Sequence, residues 1–245
     1  MFYSGCYNEI MEIQVAVSKN VSENINHGCT CYEAIERPQG GVSLIISTSQ
    51  KSPITPHFVT RKVANFISEG VRDSAAARAV SDSLFVDKNG NEQCSLTILT
   101  IDLLSGTIVL SQNSDIPLVS VINGMYQLLD QKNQNIGGAR NIKPVVSEFP
   151  ISEDFTIIFC NERVMQAGNA TGQKMDMATT ITGLLEDSEP SPQELCDAIL
   201  AAASRLENNL VLEDQLVGVI QIDRNKTSFT NKMKLQIPVA FNNPS

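Results

Sequence analysis

Residues 32–53, YEAIERPQGGVSLIISTSQKSP, constrain the fold more tightly than any other stretch. Two runs flank a tight turn: Glu33-Ala34-Ile35-Glu36 leads into Pro38-Gln39-Gly40-Gly41, and Val42-Ser43-Leu44-Ile45-Ile46 leads out. The glycine pair supplies the positive backbone angles that a short hairpin connection wants, and Pro38 stiffens its entry. The exit run is almost wholly apolar and β-branched, which predicts a strand buried on both faces. It stops in a polar loop, residues 47–53, that runs straight into a helix, where α/β and α+β folds often place chemistry. None of the loop residues is acidic.

The rest of the chain sorts into elements around this hairpin. Residues 11–17 alternate, with Ile13, Val15 and Val17 on one face, and predict a strand followed by a polar loop over 18–26. Thr55-Pro56 predicts a helix N-cap with proline at the first turn, and Val59, Val63, Phe66 and Ile67 carry the helix to Gly70. Asp73 is positioned to cap a second helix over 74–85 with a slim Ala76-Ala77-Val80-Leu84 stripe. Residues 95–101 and 107–110 flank Leu104-Ser105-Gly106, and residues 118–122 and 126–129 flank Asn123-Gly124, so two further hairpins are expected. Strands over 145–149 and 155–160 follow, then a helix over 175–186. Ser191-Pro192-Gln193-Glu194 is a capping box that opens another helix. Residues 216–222 read as a buried strand, and 234–241 as one more. Strands, two helices, antiparallel hairpins, two helices and strands again do not alternate as a parallel sheet requires. The order predicts one α+β domain, two antiparallel sheets with helices outside.

Composition narrows the function classes. The 245 residues carry a net charge of −9 without a basic cluster, which disfavours nucleic acid as a partner. No apolar run approaches the ~20 residues of a membrane span, and the N-terminus lacks the pattern of a signal peptide. Six cysteines scattered through a chain of this length do not form a disulfide framework. Reduced thiols and a cytoplasmic location are the expectation.

Several local phrases, in this order of elements, carry a family resemblance. They are Glu36-Arg37-Pro38-Gln39-Gly40-Gly41, the run EGVRDSAAARA over 69–79, LTILTID over 96–102, Gln134-Asn135-Ile136-Gly137 and Ile157-Ile158-Phe159. Through them the chain, over residues 27–222, resembles the metal-dependent PPM-type serine/threonine phosphatases, in the bacterial SpoIIE-type branch. The resemblance implies a four-layer α-β-β-α sandwich. Residues 1–26 would be a strand and loop leading into this domain, and 223–245 a C-terminal extension that could add an edge strand. It also implies two manganese or magnesium ions held by aspartates at strand ends, activating a water that attacks the phosphoryl group.

Carried over position by position, that metal site is degenerate. The family's early Gly-Asp reads Gly28-Cys29, and its Asp-Gly-x-Gly-x-Gly loop begins at Thr48-Ser49. Its second Asp-Gly falls on Asn161-Glu162, and its C-terminal Asp-Asp reads Glu213-Asp214. Three of the four acidic positions are neutral, and Lys51 adds a positive charge to the loop. Hard divalent cations want carboxylates, so the losses weigh against a binuclear centre. Glu213 and Asp214 remain as weak metal ligands at most. The expectation is therefore no cofactor, and a catalytically inactive family member that binds a protein, such as a phosphorylated regulator, in signalling. One alternative is a working Mn- or Mg-dependent phosphatase with rearranged ligands, Glu162, Glu213 and Asp214. Another is an oligomerising scaffold built on residues 226–245.

Other constellations weigh less at the level of sequence. Lys51 and Ser52 precede the helix at Pro56, where a helix N-terminus can hold phosphate, although an ordinary capped loop explains the same residues. His27, Cys29 and Cys31 alternate on one strand face, and Cys160 joins them only by analogy with the family. Their spacing is not that of a usual zinc motif, and free cysteines are commonly small buried hydrophobes. His57 is the other histidine, and nothing in the sequence pairs it with a cysteine.

Overall fold

The computed structural model describes residues 12–21, 29–122, 124–130, 132–151, 155–187, 189–209 and 213–223. The expected strand over 234–241 and the scaffold segment 226–245 lie outside the described residues. Among the described residues, ten strands form two five-stranded antiparallel sheets. One sheet runs β2 (Cys29–Glu36), β3 (Gly41–Ser49), β4 (Ser95–Asp102), β5 (Thr107–Asn113) and β8 (Val145–Pro150), in spatial order. The other runs β1 (Glu12–Asn20), β10 (Gln215–Asp223), β9 (Phe155–Cys160), β6 (Leu118–Ile122) and β7 (Met125–Leu129). On the first sheet pack α1 (Ile54–Ser68) and α2 (Asp73–Lys88). On the second pack α3 (Glu162–Met165), α4 (Met177–Asp187) and α5 (Pro192–Leu206). The result is four layers, α-β-β-α, with a separate apolar core between each adjacent pair.

Strand alternation builds those cores. In β3, Leu44 and Ile46 face the other sheet, while Ile45 faces α1 and α2, so the strand is buried on both sides as its composition requires. Ile13, Val15 and Val17 of β1 share one face and pack into the core between the sheets. Among the described residues, β1 is the edge strand of the second sheet. It pairs with β10 along its full length, from Glu12↔Asp223 to Asn20↔Gln215.

The hairpins fall where turn chemistry placed them. Gly40 and Gly41 have φ of +92° and +103°, and the β6–β7 register of Ile122↔Met125 leaves a two-residue turn with Gly124 at φ +72°. The capping box of α5 forms in full: Ser191 Oγ accepts from the Glu194 N–H, and Glu194 accepts from the Ser191 N–H. Two caps differ from expectation. Helix α1 starts at Ile54, so Thr55 lies inside the first turn, and the hydroxyl that accepts from its N–H is that of Ser52, at 3.4 Å. Asp73 is the first residue of α2 rather than its cap. Its carboxylate is claimed by buried Arg37 at 2.9 Å, and Arg37 also reaches Ser43 Oγ at 3.2 Å. An ion pair out of water outweighs one helix cap, and it ties the first hairpin to α2.

Gly41 carries the tightest backbone constraint in the hairpin. A Cβ there would lie 1.9 Å from the Ile101 carbonyl oxygen of β4 and 3.0 Å from its carbon. At Gly106 (φ +67°) no atom lies within 4 Å of an added Cβ. Gly106→Ala is expected to cost only the left-handed penalty, about 1–2 kcal/mol in urea unfolding. Gly41→Ala must also shift β4, so its loss should exceed that of Gly106→Ala by at least about 1 kcal/mol.

Candidate functional site

The loops and strand ends at one end of the sandwich converge where the two sheets meet. From the first sheet come Thr30 of β2 and Thr48 of β3, directly paired in register. From the second come Lys19 near the end of β1, Asn161 just after β9, and Asp214 just before β10. Side chains alternate along a strand, so Thr30 and Thr48 point toward the second sheet.

One hydrogen-bonded network joins them all. The Lys19 ammonium lies 2.7 Å from Asp214 Oδ2 and donates to the Thr30 carbonyl at 2.7 Å. Asp214 Oδ2 also accepts from the Thr30 N–H at 3.1 Å. Asn161 Nδ2 donates to Thr30 Oγ1 (3.1 Å) and to the Asp214 carbonyl (2.7 Å). Its Oδ1 accepts from the Val164 N–H, capping α3, and from the Leu216 N–H. The Thr30 and Thr48 hydroxyls are 3.1 Å apart. Thr30, Asn161 and Asp214 are buried, so these bonds form largely out of water, where an unmade one is expensive.

The remaining candidate residues surround this network. Glu162 is held by Gln50 Nε2 and Gln166 Nε2, each at 2.7 Å, which stitches the β3–α1 loop to α3. Glu213 is half-buried beside Asp214. Lys51 is exposed in the loop, and its N–H reaches Ser49 Oγ at 3.3 Å. The cation at the strand ends is thus Lys19, which sequence reasoning left inside a polar loop. Its signal in the sequence is parity: Lys19 continues the strand face of Ile13, Val15 and Val17. For Thr30 only the pairing register shows that it, and not Cys29, faces the second sheet.

Cys29 and Cys31 face the other way, toward α1. Cys31 sits opposite Ser47 and Cys29 opposite Ser49 in the β2–β3 ladder. Ser47 Oγ in turn donates to the Pro56 carbonyl (2.9 Å) and lies 2.6 Å from Thr60 Oγ1, which fixes the first turns of α1 over the strand. The two sulfurs are 3.9 Å apart, and His57 of α1 closes the group. The hydrogen bond from Cys31 holds the Cys29 thiol down to about 7, against partial burial and with help from nearby Lys19; the same bond pushes Cys31 up. Burial pushes the Cys94 and Cys196 thiols up to about 12 and Cys160 higher still, which marks them as inert core residues.

Solved structures share this architecture. The chain is similar to the PP2C phosphatase domain with a regulatory-domain fragment of SpoIIE from Bacillus subtilis. That match has 12% identity and a TM-score of 0.73, and covers 89% of this chain and 65% of that one. It is similar to the S. agalactiae serine/threonine phosphatase, at 11% identity over 85% of this chain and 99% of that one, with a TM-score of 0.65. The catalytic domain of the serine/threonine phosphatase PstP, in complex with two manganese ions, gives 11% identity, 87% and 100% coverage, and a TM-score of 0.68. No protein-family model and no curated protein matches the sequence. The fold is that of the PPM-type phosphatases. At these identities the likeness is one of architecture.

A pair of manganese or magnesium ions does not suit the donors present. Hard divalent cations take oxygen ligands, chiefly carboxylates. The cleft offers two threonine hydroxyls, an amide and the Asp214 carboxylate, whose charge is already met by an ammonium 2.7 Å away; Glu213 is half-buried beside it, and the Glu162 carboxylate is taken up by Gln50 and Gln166. A divalent ion at Asp214 would have to displace Lys19 or sit against its positive charge.

Two outcomes test this reading of the site. In a Lys19→Met/Asp214→Asn double-mutant cycle, chemical unfolding should give a coupling of about 1–3 kcal/mol, well above that of an exposed pair. In chelator-treated protein, alkylation of Cys29 followed by mass spectrometry should rise with pH around a midpoint near 7. That midpoint should move upward in Cys31→Ala, which removes the hydrogen bond that holds the thiolate.

Proposed function

We propose that this chain is a non-catalytic member of the SpoIIE-type PPM phosphatases that acts by binding a protein partner. The observation that carries the reading is the Lys19–Asp214 ion pair, an ammonium seated on the carboxylate where the fold's phosphatases are expected to hold metal. Asn161 supports it from the second sheet. An aspartate there could not donate both bonds that Asn161 Nδ2 makes, to Thr30 Oγ1 and to the Asp214 carbonyl. The site has exchanged metal ligation for internal hydrogen bonding, which closes the cleft between the sheets.

The proposed partner is a phosphorylated regulator met in the cytoplasm. Support comes from the loop of exposed Lys51 and half-buried Ser52, which sits before the N-terminus of α1, where backbone N–H groups favour anions. The net charge of −9 makes nucleic acid a poor competitor for such a role.

The test is hydrolysis of para-nitrophenyl phosphate and of a phosphoserine peptide, with manganese, with magnesium and with chelator. No rate above buffer is expected from protein shown to be folded. A chelator-sensitive rate that Asp214→Ala abolishes would overturn the proposal and make the cleft a working metal site.

A further inference from the structure

Among the described residues, one group of metal-ligating side chains stands apart from the cleft between the sheets. Cys29 Sγ, Cys31 Sγ and a ring nitrogen of His57 all lie within 4.8 Å of one another. We propose that Cys29, Cys31 and His57 form a binding site for zinc, or a thiophilic cation of its class, with a fourth position open to solvent.

The geometry carries this in three ways. Two zinc–sulfur bonds of about 2.3 Å at the tetrahedral angle leave their sulfurs about 3.8 Å apart. The two thiols already stand at 3.9 Å, so neither needs to move far. Their backbone is rigid: Cys29 and Cys31 are alternate residues of a paired strand, and α1 is pinned above them where Ser47 bonds the Pro56 carbonyl. His57 follows Pro56 directly and so starts from a fixed point. Finally, burial is graded from Cys31, buried, through Cys29, half-buried, to His57, exposed. That gradient leaves an entry path on the histidine side.

Charge fits as well. Two thiolates and a neutral imidazole around a dication make a neutral unit. Beside it the Lys19–Asp214 pair is also neutral, so neither cluster disfavours the other. The soft donor set selects against magnesium, which wants oxygen. His27, which alternates with the two cysteines in sequence, lies outside the described residues, and the site stands without it.

The experiment uses the full chain, reduced and stripped of metal, titrated with cobalt and then with zinc. Thiolate-to-cobalt charge-transfer absorption should appear, saturate at one cobalt per chain, and bleach on addition of zinc. Millimolar magnesium should leave it unchanged. Cys29→Ser and Cys31→Ser should each weaken or remove the thiolate band. His57→Ala, at an exposed position that should spare the fold, should lower affinity about tenfold or more, with folding checked by thermal melting. Absence of a cobalt–thiolate band in folded protein would overturn the proposal. So would a band undiminished in either serine variant, unchanged affinity in His57→Ala, or displacement by magnesium. None of these readouts depends on phosphoester hydrolysis, so this site and the reading of the cleft stand or fall separately.

Discussion

The interaction on which the cleft depends is the contact between Lys19 and Asp214. The ammonium comes from the edge strand of one sheet and meets a carboxylate that also takes the N–H of Thr30 in the other. A single carboxylate thereby joins β1, β2 and the entry to β10. Such an arrangement holds only if every member is satisfied, since a half-met polar network out of water costs more than an apolar one. Asn161 completes it by spending both amide protons and its oxygen on neighbours from both sheets. In the PstP catalytic domain, which shares this architecture, two manganese ions are bound. Here an ammonium and an amide close the seam.

The two faces of one short strand serve different chemistry. Thr30 looks inward to oxygen and nitrogen donors, and its neighbours Cys29 and Cys31 look outward to a histidine on α1. Nothing more than the two-residue period of a β-strand separates them. A substitution that slipped the β2–β3 register by one residue would exchange the two sets, putting thiols into the inter-sheet seam and hydroxyls under α1. The Gly40-Gly41 turn sets that register, which is why the hairpin matters to both sites.

Much of the architecture was legible from residue order. The all-apolar run 42–46, the Gly40-Gly41 and Asn123-Gly124 turns and the Ser191–Glu194 capping box are local signals, and each specified its element through short-range physics. The residue types of Thr48, Asn161 and Asp214 were legible too, because an identity is read directly. Three things were not. Lys19 and Asp214 are 195 positions apart in the chain and meet only through the β1–β10 pairing. His57 meets the cysteines only through the packing of α1 on the sheet, where Ser47 bonds the Pro56 carbonyl. Asp73 was read as a cap from its position before a helix, yet its partner, Arg37, lies 36 residues earlier. Contacts between parts of the chain far apart in sequence leave no periodic trace, and that is the common cause.

The sheet orders also set a sequence of events in time. All five strands of the first sheet, and both helices that cover it, lie within residues 29–150 and join mainly neighbours along the chain. The second sheet cannot be completed until Gln215–Asp223 has been made, because that strand stands between β1 and β9. During synthesis the nascent chain therefore holds β1 without its partner while the rest of the molecule is produced. Such delayed pairing across a large sequence separation is slow and leaves apolar strand faces uncovered meanwhile. Leu44 and Ile46 are among the residues that wait: the strand carrying Gly218, the last of the described strands to be synthesised, is the one that comes to lie against them.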